Sequence, residues 1–354
     1  MRAVQVVTLD GPGAVRINDV DAPTPKPHEV LIDVRAAGLC YPDALLTRGL
    51  YQMKPEPPFT LGAEVAGVVA QAPEGSGFSV GDRVVAFPGF GGMAEQVCVA
   101  APFAFHLPDD VSFETGAALP MNYLTVQFAL DRRGRLAEGE TVLVHGAAGG
   151  IGIAAIQHAK ARGARVIAVA SSDDKRAIAT QAGADDVIAP DGFKDAVMEL
   201  TDGRGVDIVV DPVGGDRFTD SLRTLRRDGR ILVIGFTGGE IPTVKVNRLL
   251  LNNIGVIGVG WGEYALAHEG HIAGEYEAMR PYLESGALAA YLPGIARHLL
   301  GRDQPPVRDA LRPRRGRRRI ARRSRWTRRR SGGAGRGGGR LGNREIGKST
   351  RLNS

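Results

Sequence analysis

The stretch TVLVHGAAGGIGIAAIQHAKARG, residues 141–163, decides the fold. Its first four residues are β-branched or apolar and read as a buried strand. Gly146, Gly149, Gly150 and Gly152 then break the run. Small apolar residues follow at helical spacing. Strand, glycine-rich turn and helix in this order make a cradle for phosphate. Glycine permits the tight turn and lets backbone N–H groups approach a pyrophosphate, and the helix N-terminus adds its positive dipole end. The expected contacts are Ala147, Ala148, Gly149, Gly150, Ile151 and Gly152. The competing reading is a close strand–helix crossing that holds no ligand.

Downstream the rhythm repeats. RVIAVASS (165–172) and DDVIA (185–189) are strands, with DKRAIATQAGA (174–184) a helix between them. VDIVVDPVGG (206–215), GRILVIGF (229–236) and NIGVIGVGWG (253–262) are further strands, and FTDSLRTLRRDG (218–229) a further helix. Apolar strands alternating with amphipathic helices predict an α/β unit, a doubly wound parallel sheet. Ligands of such sheets sit beyond the carboxyl ends of the strands. That selects Val213 and Gly214, Gly235 and Phe236, and Val259 and Trp261. Each is also readable as a plain turn, and Phe236 and Trp261 as packing residues. The second strand chooses between the nicotinamide cofactors. An acid at its end would bind the ribose hydroxyls of NAD. Ser171, Ser172 and Lys175 stand there instead, and hydroxyls with a cation suit a 2′-phosphate. NADPH is therefore expected. Asp173 and Asp174 oppose this unless they open the next helix as first-turn acids.

Residues 1–121 differ in kind. Short valine-rich runs (1–8, 29–37, 64–70, 83–87) are punctuated by DGPG, PTPKP and GSG, which predicts a β-rich domain. The expected division is 1–121 β-rich, 122–262 dinucleotide-binding, and 263–294 the start of a return to the first domain. A tail, 295–354, follows.

Charge separates that tail from the rest. The formal net charge of the 354 residues is +6. Residues 1–292 hold 25 Lys and Arg against 36 acids, whereas residues 293–354 hold 19 Arg and one Lys against three acids. No apolar run approaches the length of a membrane span, so no membrane partner is expected. The first residues lack a signal-peptide core, and a cytoplasmic location is expected. Two cysteines, Cys40 and Cys98, exclude a disulfide scaffold and a cysteine-rich metal lobe.

Seven segments now stand in a telling order: GLCYPDALLTRGLYQ (38–52), PFTLGAEVAGVV (58–69), VGDRVVAF (80–87), GAALPMNYLTVQFAL (116–130), GAAGGIG (146–152), GVDIVVDPVGG (205–215) and NIGVIGVGWG (253–262). Together they resemble the zinc-independent quinone oxidoreductase branch of the medium-chain dehydrogenase/reductase superfamily. The resemblance implies a GroES-like catalytic domain, a Rossmann domain, NADPH, a homodimer, and hydride transfer to a quinone or another α,β-unsaturated carbonyl. An enoyl-thioester reductase is the second enzymatic reading. Zinc relatives need a Cys, a His and a further Cys or Asp around an open position. Here Cys40 occupies the first place, Ala63 replaces the His and Met121 the last, so no metal is expected. Glu64 survives from that motif and is expected in a structural ion pair.

Without a metal, a hydrogen-bond donor should meet the charge that builds on the acceptor oxygen. Tyr51 matches the position of the proton-donating tyrosine proposed in related enoyl-thioester reductases. Tyr41, Asn122 and Thr125 are second candidates, for lining the nicotinamide pocket. Both tyrosines are also readable as rim aromatics.

The tail RRGRRRIARRSRWTRRRSGGAGRGGGR admits three readings. It is a disordered nucleic-acid-binding arm, a solvated charged tail, or a gene end translated out of frame. The abrupt onset, within a domain, and the excess of Arg over Lys favour the third, which makes a nucleic-acid partner a minor expectation.

Overall fold

A computed structural model describes residues 1–289 and the strand Ile295–Arg297. Met1–Arg312 form one compact unit; of the tail expected at 295–354 only Ile295–Arg297 is described, and it is a strand, while the rest of the tail, with the second unit Pro313–Ser354, lies outside the described residues.

The N-terminal part builds two antiparallel sheets. In the smaller, β1 (Arg2–Val6) lies between β2 (Val15–Asp19) and β4 (Phe59–Thr60). The larger is organised on β3 (Glu29–Gly38), which pairs β5 (Val65–Gln71) along one side. Beyond β5 come β6 (Arg83–Ala86) and β8 (Ala104–His106). On its other side β3 pairs β7 (Gln96–Ala100) near its start. Two breaks in register between β3 and β5 bend the sheet. Seven of the ten β3 residues are buried, so this strand is covered on both faces.

The parallel sheet matches the expectation. Its order is β11 (Asp186–Ile188), β10 (Arg165–Val169), β9 (Thr141–Val144), β12 (Val206–Asp211), β13 (Leu225–Val233), β14 (Gly255–Gly258). The order reverses between β9 and β12, which places a crevice at their carboxyl ends. One face of β9 packs Val142 and Val144 into the large central core, and the other packs Leu143 against Phe193, Phe218 and Ile231. β13 begins within what the sequence suggested was a helix: the helix Phe218–Thr224 stops early, and Asp228 turns with φ 63°. Among the described residues no helix is long and apolar enough to cross a membrane.

A helical stretch, Pro120–Leu124, Thr125–Gln127 and Phe128–Arg133, carries the chain from the β-rich part to the parallel sheet. Tyr123 Oη donates to Gln157 Oε1 at 2.8 Å, and Gln157 Nε2 donates to the Ala289 carbonyl at 2.8 Å. The helix His271–Glu284 leads the chain back, with Tyr276 stacked on Phe105 and donating to the His106 carbonyl. The last described strand, β15 (Ile295–Arg297), then pairs antiparallel with residues 36–38 of β3. The sequence predicts the start of a return in 263–294 and a tail from 295; β15 falls within that expected tail and lies on the sheet of the first part.

Candidate active site

A cleft of about 300 Å³ opens where the end of β3, the Pro120–Leu124 helix and the glycine loop after β9 converge. Its wall includes Gly38, Cys40, Tyr41, Glu64, Asn122, Gly149 to Gly152, Pro212 and Thr237.

The glycine loop is shaped by close approaches. Gly146 has φ 60°. A side chain at Gly152 would come 2.3 Å from the Gly146 carbonyl oxygen, so only glycine lets the helix Gly150–Ala161 start this close to the turn. Gly149 caps the helix without a side chain, and the N–H groups of the first turn have no acceptor within the helix. Gly149 and Gly150 are exposed, leaving backbone donors and the positive helix end open to an anion. This part of the chain fits a dinucleotide pyrophosphate. Ala147 is fully buried and donates its N–H to the Val169 carbonyl; it and Ala148 are not part of the cleft wall.

At the end of β10 the side chains gather as the sequence suggested. Lys175 Nζ donates to Ser171 Oγ at 3.2 Å, and Ser172 caps the helix Asp173–Gln181. Asp173 and Asp174 are first-turn acids, and Asp173 is bound by Arg176. Arg176 was not singled out from sequence. It follows Lys175 directly, and its place one helical turn past Ser172 was the available signal.

Beyond β12, Asp211 is fully buried and its Oδ1 accepts the N–H groups of Val213 and Gly214, both at 2.9 Å. Thr237 donates through N and Oγ1 to the Pro212 carbonyl. Phe236 is partly exposed beside Gly214. Val213, Gly214, Gly235 and Phe236 surround the wall residues Pro212 and Thr237 without being wall residues themselves. Val259 and Trp261 are buried in the core. The Trp261 indole donates to Glu275 Oε2 at 2.7 Å and lies edge-on to Phe87, so the structure does not bring it to the cleft. Thr125 also stays away, its hydroxyl donating to the Met121 carbonyl at 2.6 Å.

The catalytic candidates separate. Tyr41 opens the helix Tyr41–Leu46, is half exposed, and lines the cleft. Asn122 lines it opposite, against Gly150. Tyr51 is not in the wall. It is half-buried, and burial and then the charges of Cys40, Asp43 and Glu263 raise its phenol above the ordinary value.

Cys40 and Glu64 are wall residues. Cys40 Sγ donates to Asp43 Oδ2 at 3.1 Å, and burial, then Asp43 and Glu64, keep the thiol well above its ordinary range. Glu64 departs from the expected ion pair. Among the described residues no cation pairs with it, and its Oε2 instead accepts the Met121 N–H at 2.7 Å. Burial, and secondarily Asp43, push it up to about 8. The zinc ligand set does not fit here. Position 63 is Ala, position 121 is Met, and the Cys40 thiol is engaged by Asp43; among the described residues no group of three His, Cys, Asp or Glu could hold a metal.

Comparison with known proteins supports the same architecture. The family described as alcohol dehydrogenase GroES-like domain matches residues 26–109, and that described as zinc-binding dehydrogenase matches residues 150–274. Quinone oxidoreductase-like protein 2 of Rattus norvegicus is 45% identical over 248 residues, 69% of this chain and 71% of the relative. The crystal structure of a probable oxidoreductase from Mycobacterium abscessus is 47% identical with a TM-score of 0.75, covering 81% of this chain and 88% of that one. A mycobacterial structure complexed with NADPH is 32% identical with a TM-score of 0.75, covering 81% and 90%. The chain is an oxidoreductase and belongs to the zinc-independent quinone oxidoreductase branch of the medium-chain dehydrogenase/reductase superfamily.

Proposed function

We propose that this chain reduces a quinone or another α,β-unsaturated carbonyl with NADPH, without a metal. The observation that carries this reading is the cleft itself. It joins an open helix N-terminus at Gly149–Gly152 to Tyr41 and Glu64 of the β-rich part and to Asn122 of the connecting helix. Bound NADPH would supply the hydride. Gly149 to Gly152 would hold its pyrophosphate, and Ser171, Lys175 and Arg176 its 2′-phosphate. The 2′-phosphate distinguishes it from NAD: Lys175 reaches Ser171 at the end of β10, Arg176 stands at the next position, and Asp173 is bound by Arg176. Asn122, against Gly150, would hold the nicotinamide end of the cofactor, and Tyr41 would orient the acceptor carbonyl from the cleft wall.

An enoyl-thioester acceptor is the second reading, favoured by Tyr51 if its phenol reaches the acceptor. The chain would act as a homodimer, with GroES-like residues 1–121 and Rossmann residues 122–262 as its two domains. The deciding experiment is NADPH oxidation measured against quinones, enals and enoyl thioesters, with added zinc and with chelator. Quinone or enal reduction indifferent to both additions is expected. Zinc-dependent alcohol oxidation would overturn the proposal. Filter binding of RNA with and without residues 295–354 tests the nucleic-acid alternative.

A further inference from the structure

We propose that Glu64, a wall residue, is the proton donor of this cleft in place of Tyr51, which is not one, its carboxylic acid serving the acceptor. This rests on the oxidoreductase reading above.

Two carboxyl groups, Asp43 and Glu64, are 1% exposed in one small region, and among the described residues neither has a cation. Burying two unpaired carboxylates together costs several kcal/mol each, so one is held neutral. Hydrogen bonds say which. Asp43 accepts three donors: the Cys40 N–H, the Gly62 N–H and the Cys40 thiol. Burial raises Asp43 as well, and its three donors oppose that rise by stabilising the charged form. Glu64 accepts only the Met121 N–H. The proton therefore resides on Glu64, and its high value follows from burial with Asp43 nearby.

The fold reserves this place. A side chain at Gly38 would come 2.4 Å from Glu64 Oε1 and 2.5 Å from the Ala117 carbonyl oxygen. The groups facing Glu64 are thus Cys40 and Asp43 from the start of the Tyr41–Leu46 helix, and Met121 N–H from the Pro120–Leu124 helix. Gly38 of β3 and Ala117 bring no charge. The Cys40 thiol keeps its proton, donates it in a hydrogen bond to Asp43 Oδ2, and does not compete as a base.

In the step, hydride from the dihydronicotinamide forms a C–H bond on the acceptor, and an electron pair moves onto the acceptor oxygen. The Glu64 O–H bond breaks, an O–H bond forms on that oxygen, directly or through one water, and the Glu64 carboxylate regains a proton from solvent. The acceptor gains two electrons and the nicotinamide loses them.

The test joins two measurements on wild type and Glu64→Gln. Infrared spectra of the cofactor-free protein, with carbon-13 in its glutamates, should show a protonated carboxyl that titrates near pH 8 and vanishes in the variant. Glu64→Gln keeps an acceptor for Met121 and should bind NADPH as wild type does, but lose roughly 100-fold in kcat. Its rate should also lack the fall above pH 8. A glutamate spectrum with no protonated carboxyl at pH 7 overturns the inference even if the variant fails to fold. So does a variant with wild-type kcat and pH profile. A wild type that reduces no acceptor sinks the oxidoreductase reading, and this role with it.

Discussion

The amide of Asn122 occupies the space that a side chain on Gly150 would need. A methyl group there would sit 2.6 Å from Asn122 Oδ1 and 2.7 Å from Nδ2. One residue thus belongs to the helix that crosses between the two parts of the molecule, and the other to the phosphate loop. Gly150→Ala should displace the amide from the cleft while leaving the fold intact, because alanine suits a helix better than glycine. NADPH affinity should fall roughly tenfold, the worth of one lost polar contact, with thermal stability unchanged or slightly raised. Fluorescence titration beside a melting curve checks this. Equal affinity in the two proteins would show that Asn122 does not set the cleft.

Lys175 should choose the cofactor. Charge-assisted hydrogen bonds are worth about 1.5–3 kcal/mol, so Lys175→Ala should weaken NADPH roughly tenfold to a hundredfold and leave NADH untouched. A parallel loss for both cofactors, or for neither, would remove Ser171 and Lys175 from the recognition of the 2′-phosphate.

The cofactor half of the cleft was legible because its signals are local. Gly146 to Gly152 lie within one turn of each other, and Ser171 precedes Lys175 by one helical turn. The acceptor half was not legible, because its pairings are distant. Nothing near Glu64 in sequence announces that Met121, 57 positions later, will supply its one hydrogen bond. An acid surviving from a metal motif therefore read as half of an ion pair. Trp261 failed for a related reason. A strand-end position predicts a turn near ligand, but burial against Phe87 and the bond to Glu275 win for so large a ring. Thr125 read as a pocket residue until its hydroxyl closed on the Met121 carbonyl, one helical turn back.

Glu64 should also shape stability against pH. Its folded value, about 8, lies above the ordinary 4.5. The folded state then holds a proton that the unfolded chain releases, so this stabilisation is full below about 4.5 and is lost as pH rises through about 8. Glu64→Gln has no such proton to lose. The melting temperature of wild type should fall relative to the variant across that interval, as scanning calorimetry would read. Parallel curves would place the carboxylate in its ordinary range.

The free edge of β14 should carry the partner copy. In the segment that precedes it in the chain, Ile241, Val246, Leu250 and Leu251 are each more than two-thirds exposed. Exposed apolar side chains and an open strand edge both invite pairing with another copy. Replacing Leu250 and Leu251 together by Asp should convert a dimer to a monomer in light scattering behind size exclusion. A wild type that already elutes as a monomer contradicts the homodimer.

Ile295 of β15 lies opposite Gly38 at the very end of β3, the residue whose bare Cα makes room for Glu64. A ribosome releases residue 38 early and residue 295 only near the close of synthesis. Until then that part of the β3 edge has no partner, and the wall it supports is unfinished. The nascent chain can complete its parallel sheet, all of it encoded by residue 258, well before the cleft is sealed. Folding in the cell is thus ordered by translation, with cofactor capture possible before catalytic competence. Premature termination between β14 and β15 would release a polypeptide able to hold a dinucleotide beside an unsealed wall.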